Sequence, residues 1–203
     1  MYEDLKQTIV EVARTMDQKN LVNTYEGNLS IKQDDKILIT PSGRSKASLT
    51  TEMIAVIDET GKQYEGTLRY SSEYLLHVAS YRLRKDINAA IHSHAPYLTA
   101  FALNNRPIQS NAYPEMINLF GKIPVVPYGT PGTEEIAAEM GPHLAASKVV
   151  LLANHGVLAV GVDLYDAFNL TQAAESIAYV LTLAHNLGHV KDLTPEQVAR
   201  VSK

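Results

Sequence analysis

The chain of 203 residues has the length of one domain, and 45% hydrophobic residues with 20% charged ones leave enough apolar material for a sizeable core. The 18 Lys and Arg against 22 Asp and Glu give a net charge of -4, the wrong sign for a protein that grips nucleic acid by neutralising phosphates. With 0 Cys, disulfides, Cys-ligated zinc, iron–sulfur clusters and a thiol nucleophile are excluded, so any metal must be held by His and carboxylates.

The opening residues include Glu3 and Asp4, where a secretory signal needs a basic region and an apolar stretch. No window reaches the roughly 18 apolar residues of a membrane span. The expected location is the cytoplasm, with no membrane partner.

Leu5, Ile9, Val12, Ala13 and Met16 recur at spacings of three and four and predict an amphipathic helix ending near Asn20. Residues 27–31 and 36–40 flank the polar cluster Gln33, Asp34 and Asp35 and read as two strands around a turn, broken by Pro41, Ser42 and Gly43. Ile54 to Ile57 is a further strand, followed by a turn over 58–62. Ser71 and Ser72 cap a helix with Glu73 in its first turn, running to about Lys85. Residues 87–94 form a strand halted by Pro96, and a helix follows from Tyr97 to Leu103. A short helix around Met116, a strand over 123–126 and a helix from Thr133 to about Gly141 and Pro142 come next. Val149 to Ala153 and Val157 to Val160 are strands joined by a tight turn of Asn154, His155 and Gly156. Asp163 caps a long helix over about 165–186, stopped by Gly188. With no repeat or linker, the expected architecture is a single α/β/α layered domain over 1–203 with a central, largely antiparallel sheet.

His92 and His94 alternate on one strand, so both imidazoles face one side. That spacing suits a bidentate metal site and, equally, a pair of surface histidines at a strand end. His155 sits in a turn directly after an apolar strand, where its side chain can project at the rim of a sheet. Glu73 stands at a helix start, which capping alone would also explain. Three histidines and a carboxylate without Cys are nonetheless a plausible shell for a divalent transition metal, zinc first, with manganese, iron or cobalt behind it. His77 reads as structural; His143, His185 and His189 read as surface or packing residues. Three segments have the donors to hold a phosphate: residues 27–30, 40–43 and Ser71 with Ser72. Gly, Ser and Asn also simply make turns. No P-loop or dinucleotide fingerprint is present.

Taken in order, Gly27-Asn28-Leu29-Ser30, Thr40-Pro41-Ser42-Gly43, Ser71-Ser72-Glu73, His92-Ser93-His94 and Asn154-His155-Gly156 resemble the class II aldolase/adducin family over nearly the whole chain. The chain is most similar to the branch of zinc-dependent lyases that act on L-fuculose 1-phosphate. The resemblance implies an α/β/α domain, a homotetramer with active sites at subunit interfaces, and a small phosphorylated sugar as substrate. It implies that Glu73, His92, His94 and His155 bind the metal, that Glu73 is also the catalytic acid/base, and that Gly27, Asn28, Ser42, Gly43, Ser71 and Ser72 hold the phosphate. Tyr113 matches the tyrosine that reaches a neighbouring subunit's site and protonates the aldehyde oxygen. A second tyrosine of that branch, in its C-terminal tail, has no counterpart after Tyr179. The expected substrates therefore extend to a related deoxyketose phosphate.

The expected chemistry is reversible C3–C4 cleavage of a ketose 1-phosphate to dihydroxyacetone phosphate and an aldehyde, with the metal as electron sink. A Schiff-base lysine is the alternative sink, and Lys148 beside the Val149 strand is the nearest candidate. Rival readings on the same scaffold are a sugar-phosphate 4-epimerase, whose family members usually carry Asp where Glu73 stands, a dehydratase or decarboxylase, and a metal-free adducin-like interaction domain.

Overall fold

The structure, a computed structural model, describes residues 2–201. Helix α1 (Glu3–Gln18) buries Ile9, Val12, Ala13 and Met16 along the stripe that its spacing predicts. Strands β1 (Asn28–Gln33) and β2 (Lys36–Ile39) form a hairpin whose turn opens on Asp34 at a φ of 54°, a left-handed conformation that Asp tolerates. Strands β3 (Ala55–Ile57) and β4 (Gln63–Glu65) follow, then α2 (Tyr74–Leu83), β5 (Ala89–Ser93), α3 (Pro96–Leu103), α4 (Pro114–Leu119) and β6 (Val125–Val126). The chain continues through α5 (Glu135–Ala138), α6 (Met140–Ala146), β7 (Val149–Leu152), β8 (Gly156–Gly161), α7 (Leu164–Leu187) and α8 (Pro195–Val201).

The strands form one eight-stranded sheet in the order β4-β3-β2-β1-β5-β8-β7-β6. Every neighbouring pair is antiparallel except β6 with β7. Period-two alternation sorts the sheet's side chains onto two faces. Leu29, Ile31, Ala89, Ile91, Val157 and Ala159 join one core beneath α1, α3 and α7. Ile37, Ile39, Ala90, Val150, Leu158 and Val160 join the other with residues of α2, α5 and α6. Because both faces are covered, β5, β7 and β8 are buried throughout, and each fully buried Leu or Ile side chain contributes roughly 1.5–3 kcal/mol. This is the expected α/β/α domain with a largely antiparallel sheet.

Several boundaries differ from the sequence reading for identifiable reasons. Helix α2 starts at Tyr74, so Glu73 occupies its cap position, and the Ser71 hydroxyl accepts from the Glu73 N–H at 3.2 Å. The expected helix over 133–141 is two short helices, with Glu139 ending α5 and opening α6. Pro142 lies in the first turn of α6, where its missing N–H breaks no intrahelical bond, so it does not stop the chain there. Strand β4, the 3-10 turns at 46–48 and 51–53, and α8 lie outside the expected elements. For α8 a signal was present: Thr194 and Gln197 exchange side-chain and backbone bonds as a capping box.

Candidate active site

Register brings the predicted residues to one end of the sheet. Strand β5 pairs with β8, placing Ser93 opposite Val157, so the β7–β8 turn carrying His155 comes beside the end of β5. The same strand pairs with β1, placing Asn28 opposite His92. Asn154 supplies the turn's left-handed residue at a φ of 57°. Gly156 is required by close approach: a Cβ there would stand 2.6 Å from the Ser93 carbonyl oxygen and 3.1–3.2 Å from the His94 and His92 rings.

The three imidazoles form a cluster whose ring centroids are 4.6–5.0 Å apart. Their ligating nitrogens lie within 4.8 Å of one another, an arrangement able to hold a metal ion. His92 is fully buried and donates from Nδ1 to the Val157 carbonyl at 2.9 Å, which leaves Nε2 as a lone pair facing the cluster. His92 Nε2 lies 3.0 Å from His94 Nε2. Two imidazole nitrogens bound at about 2 Å to one ion at a tetrahedral angle would stand roughly 3.3 Å apart, so the spacing fits a shared cation.

Glu73 closes the cluster. Its Oε1 lies 3.2 Å from His155 Nε2, and its Oε2 lies 3.4 Å from His92 Nε2 and accepts from Asn28 Nδ2 at 2.8 Å. Oε1 is buried and makes no hydrogen bond among the described residues, and His155 Nδ1 is in the same condition. A buried carboxylate oxygen without a donor is costly unless a cation meets it, so this donor set fits a divalent metal. Burial pushes the Glu73 carboxyl upward, but His92, His155 and the Asn28 amide together hold it well below the ordinary carboxylate range. Burial lowers the His92 imidazole to about 3 and lowers His94 as well, so both rings are neutral at pH 7, the form able to coordinate a metal.

The candidate phosphate segments also come together. Ser42 N–H donates to the Arg69 carbonyl and Ser71 N–H to the Thr40 carbonyl, laying 40–42 alongside 69–71. Thr40 accepts from Leu29 N–H through its hydroxyl, tying both to β1. Ser42, Gly43 and Ser72 are exposed at this junction, and Gly43 adopts a φ of 62°. The two serine N–H groups are thus engaged within the protein, as is the Asn28 carboxamide. Gly27 adopts a φ of 81°, and a Cβ there would strike Val22 and the His92 carbonyl.

Tyr113 is not brought to this cluster within the chain. It precedes α4, is partly buried, and packs against the core of the opposite sheet face. Lys148 pairs with Asp166 at 3.0 Å, which removes it as a free amine.

Other residues at the site escaped sequence reasoning. Glu26 Oε1 lies 3.8 Å from His94 Nδ1. Lys46 is only 2% exposed, and burial lowers its ammonium to about 8 despite the pull of Asp17, Glu73 and Glu26. No periodicity marks a lone lysine between Ser45 and Ala47 as buried; its position three residues after Gly43 is the one available hint.

The sequence profile of the Class II Aldolase and Adducin N-terminal domain matches residues 7–182. An L-fuculose phosphate aldolase of Escherichia coli O157:H7 is 38% identical over 97% of this chain and 92% of its own length. A 5-methylthioribulose-1-phosphate/5-deoxyribulose-1-phosphate aldolase of Escherichia coli O45:K1 is 34% identical over 91% of this chain and 86% of its own. A 3-oxo-tetronate 4-phosphate decarboxylase of Haemophilus influenzae is 34% identical over 85% of this chain and 84% of its own. The solved structure of an L-fuculose 1-phosphate aldolase superposes with a TM-score of 0.90 at 31% identity, covering 100% of this chain and 96% of that one.

Proposed function

The chain belongs to the class II aldolase and adducin family, and from that premise we propose that it is a metal-dependent aldolase that cleaves a ketose 1-phosphate to dihydroxyacetone phosphate and an aldehyde. The observation that carries this reading is the ionised Glu73 in contact with two of three clustered imidazoles. His92, His94 and His155, with Glu73, would hold the cation, zinc first and manganese, cobalt or iron as alternatives. When bound there, such a cation would supply Lewis acidity toward the substrate's oxygens and the electron sink for C3–C4 cleavage.

The protein's own groups carry the proton transfers. In the synthetic direction Glu73 takes a proton from the hydroxymethyl carbon of dihydroxyacetone phosphate; in cleavage it returns that proton to the same carbon. Its carboxyl is ionised at neutral pH, the form that can accept a proton. Tyr113, from a neighbouring subunit of a homotetramer, gives its hydroxyl proton to the aldehyde oxygen during synthesis and recovers it during cleavage. Gly27, Asn28, Ser42, Gly43, Ser71 and Ser72 surround the phosphate. A cytoplasmic location accords with phosphorylated sugar chemistry, and no helix among the described residues is long and apolar enough to cross a membrane.

Purified protein with its metal measured, incubated with L-fuculose 1-phosphate, 5-deoxyribulose 1-phosphate and 5-methylthioribulose 1-phosphate, tests the reading. Dihydroxyacetone phosphate should appear from at least one, vanish on chelation and return with added metal. A covalent adduct trapped by borohydride would replace the metal sink with a Schiff base, for which Lys46 is the buried lysine near the site. A decarboxylase is the second reading, favoured by the Haemophilus influenzae relative. Carbon dioxide release from 3-oxo-tetronate 4-phosphate, without cleavage of any ketose 1-phosphate, would establish it.

A further inference from the structure

Helix α2 and strand β1 meet through polar side chains where an apolar seam would be expected. Glu73, His77 and Tyr81 recur every four residues on one stripe of the helix, and Asn28 and Ser30 alternate on the facing side of the strand. The two sets interleave. Tyr81 OH lies 2.7 Å from Ser30 Oγ, which lies 2.6 Å from His77 Nδ1. His77 Nε2 lies 2.5 Å from Asn28 Oδ1, and Asn28 Nδ2 donates to Glu73 Oε2 at 2.8 Å. Ser30 and His77 are 0% exposed, Tyr81 1% and Asn28 4%, so no solvent competes for these bonds.

One end of the chain dictates every donor in it. An ionised carboxylate only accepts, so Asn28 must turn its NH2 to Glu73 and its oxygen to His77. His77 must then carry its hydrogen on Nε2, and its bare Nδ1 accepts from the Ser30 hydroxyl, which in turn accepts from Tyr81. Burial takes the His77 imidazole down to about 4, so it holds the single hydrogen that this pattern needs. A flipped Asn28 would set its oxygen against the carboxylate and its NH2 against the His77 N–H.

We propose that His77, Ser30 and Tyr81 are positioning residues that lock the Asn28 carboxamide in the orientation that donates to Glu73. This holds one carboxylate oxygen in place and leaves the other, Oε1, free to face the histidine cluster. The inference rests on the reading of Glu73 as the acid/base of the proposed aldolase, but the hydrogen-bond pattern can be tested without it. A polar chain of this kind stabilises a fold no better than well-packed apolar side chains would, so direction is what it adds.

Nitrogen-15 NMR of histidine-labelled, metal-free protein reads the His77 tautomer directly. The Nε2–H form is expected; the Nδ1–H form would overturn the proposal whatever the protein catalyses. In the metal-loaded protein, His77→Leu removes the donor to Asn28 while His77→Gln keeps an NH2 at a similar reach. The Leu variant should lose about 10- to 100-fold in kcat, the range found for partners of metal ligands, with KM and metal content little changed. The Gln variant should recover most of that loss. Equal kcat for the Leu and Gln variants, both folded and metal-loaded, would reduce the chain to packing and end the proposal. If the wild-type protein cleaves no ketose 1-phosphate, the functional reading fails while the tautomer result still decides the hydrogen-bond chain.

Discussion

His92 Nε2 and His94 Nε2 stand 3.0 Å apart, and His92 has already committed its one hydrogen, on Nδ1, to the Val157 carbonyl. Two facing lone pairs would repel. Either His94 turns an Nε2–H toward its neighbour or a cation lies between them. The second arrangement leaves His94 Nδ1 protonated beside Glu26, 3.8 Å away.

His92→Ala therefore tests the centre most directly. Removing the buried imidazole takes away one ligand and the anchor to Val157, and both bound metal and aldolase activity should be lost. Elemental analysis of the purified variant measures the first. Retention of a full metal complement would remove His92 from the ligand set.

Gly156→Ala tests how closely the backbone shapes the cluster. Its Cβ would meet the Ser93 carbonyl at 2.6 Å and the rings of His94, which stands just past the end of β5, and His92 at 3.1 and 3.2 Å, so the strand or the rings must shift. Misplacement of about 1 Å near a reacting centre costs on the order of 100-fold in rate. A fall of at least tenfold in kcat/KM is expected, with weaker metal retention on dialysis.

The protein should lose stability as the pH falls below neutrality, in part through His77. Burial depresses this imidazole from 6.5 to about 4, with Glu73 pulling the other way. Between those values the unfolded chain binds a proton that the folded one does not, so stability falls with pH. The slope is up to about 1.4 kcal/mol per pH unit from this residue, and its contribution levels off below 4. Urea midpoints of the metal-free protein at pH 7, 6 and 5, compared with His77→Gln, isolate the effect. Parallel curves would show that His77 is not buried as a neutral group.

Glu175 on α7 accepts from the backbone N–H groups of Tyr97 and Leu98 at 3.0 and 2.9 Å, capping α3 across the layer. No side chain at the helix's own cap position serves these donors. Glu175→Ala should cost about 1–2 kcal/mol, read as a lower denaturation midpoint with an unchanged slope. The segment opened by α3 follows His94 directly, so metal affinity should weaken with it.

The period of apolar residues along the chain determined most of the elements. The stripe of α1, the strand pair around Asp34 and the Asp163 cap of α7 appear where local spacing and capping chemistry put them, because those signals act over a single turn or pleat. His92, His94, His155 and Glu73 were legible as candidates by residue type and position. Their convergence was implied by the resemblance to the family and not by local spacing, since it depends on β5 lying between β1 and β8, a pairing of strands far apart in sequence. Tertiary packing alone buried Lys46 and interleaved His77 with Ser30, because desolvation is a property of what surrounds a side chain in space. The engagement of the Asn28 carboxamide belongs to the same class. Its sequence neighbours describe a turn, and only the approach of α2 gives each end of the amide a partner.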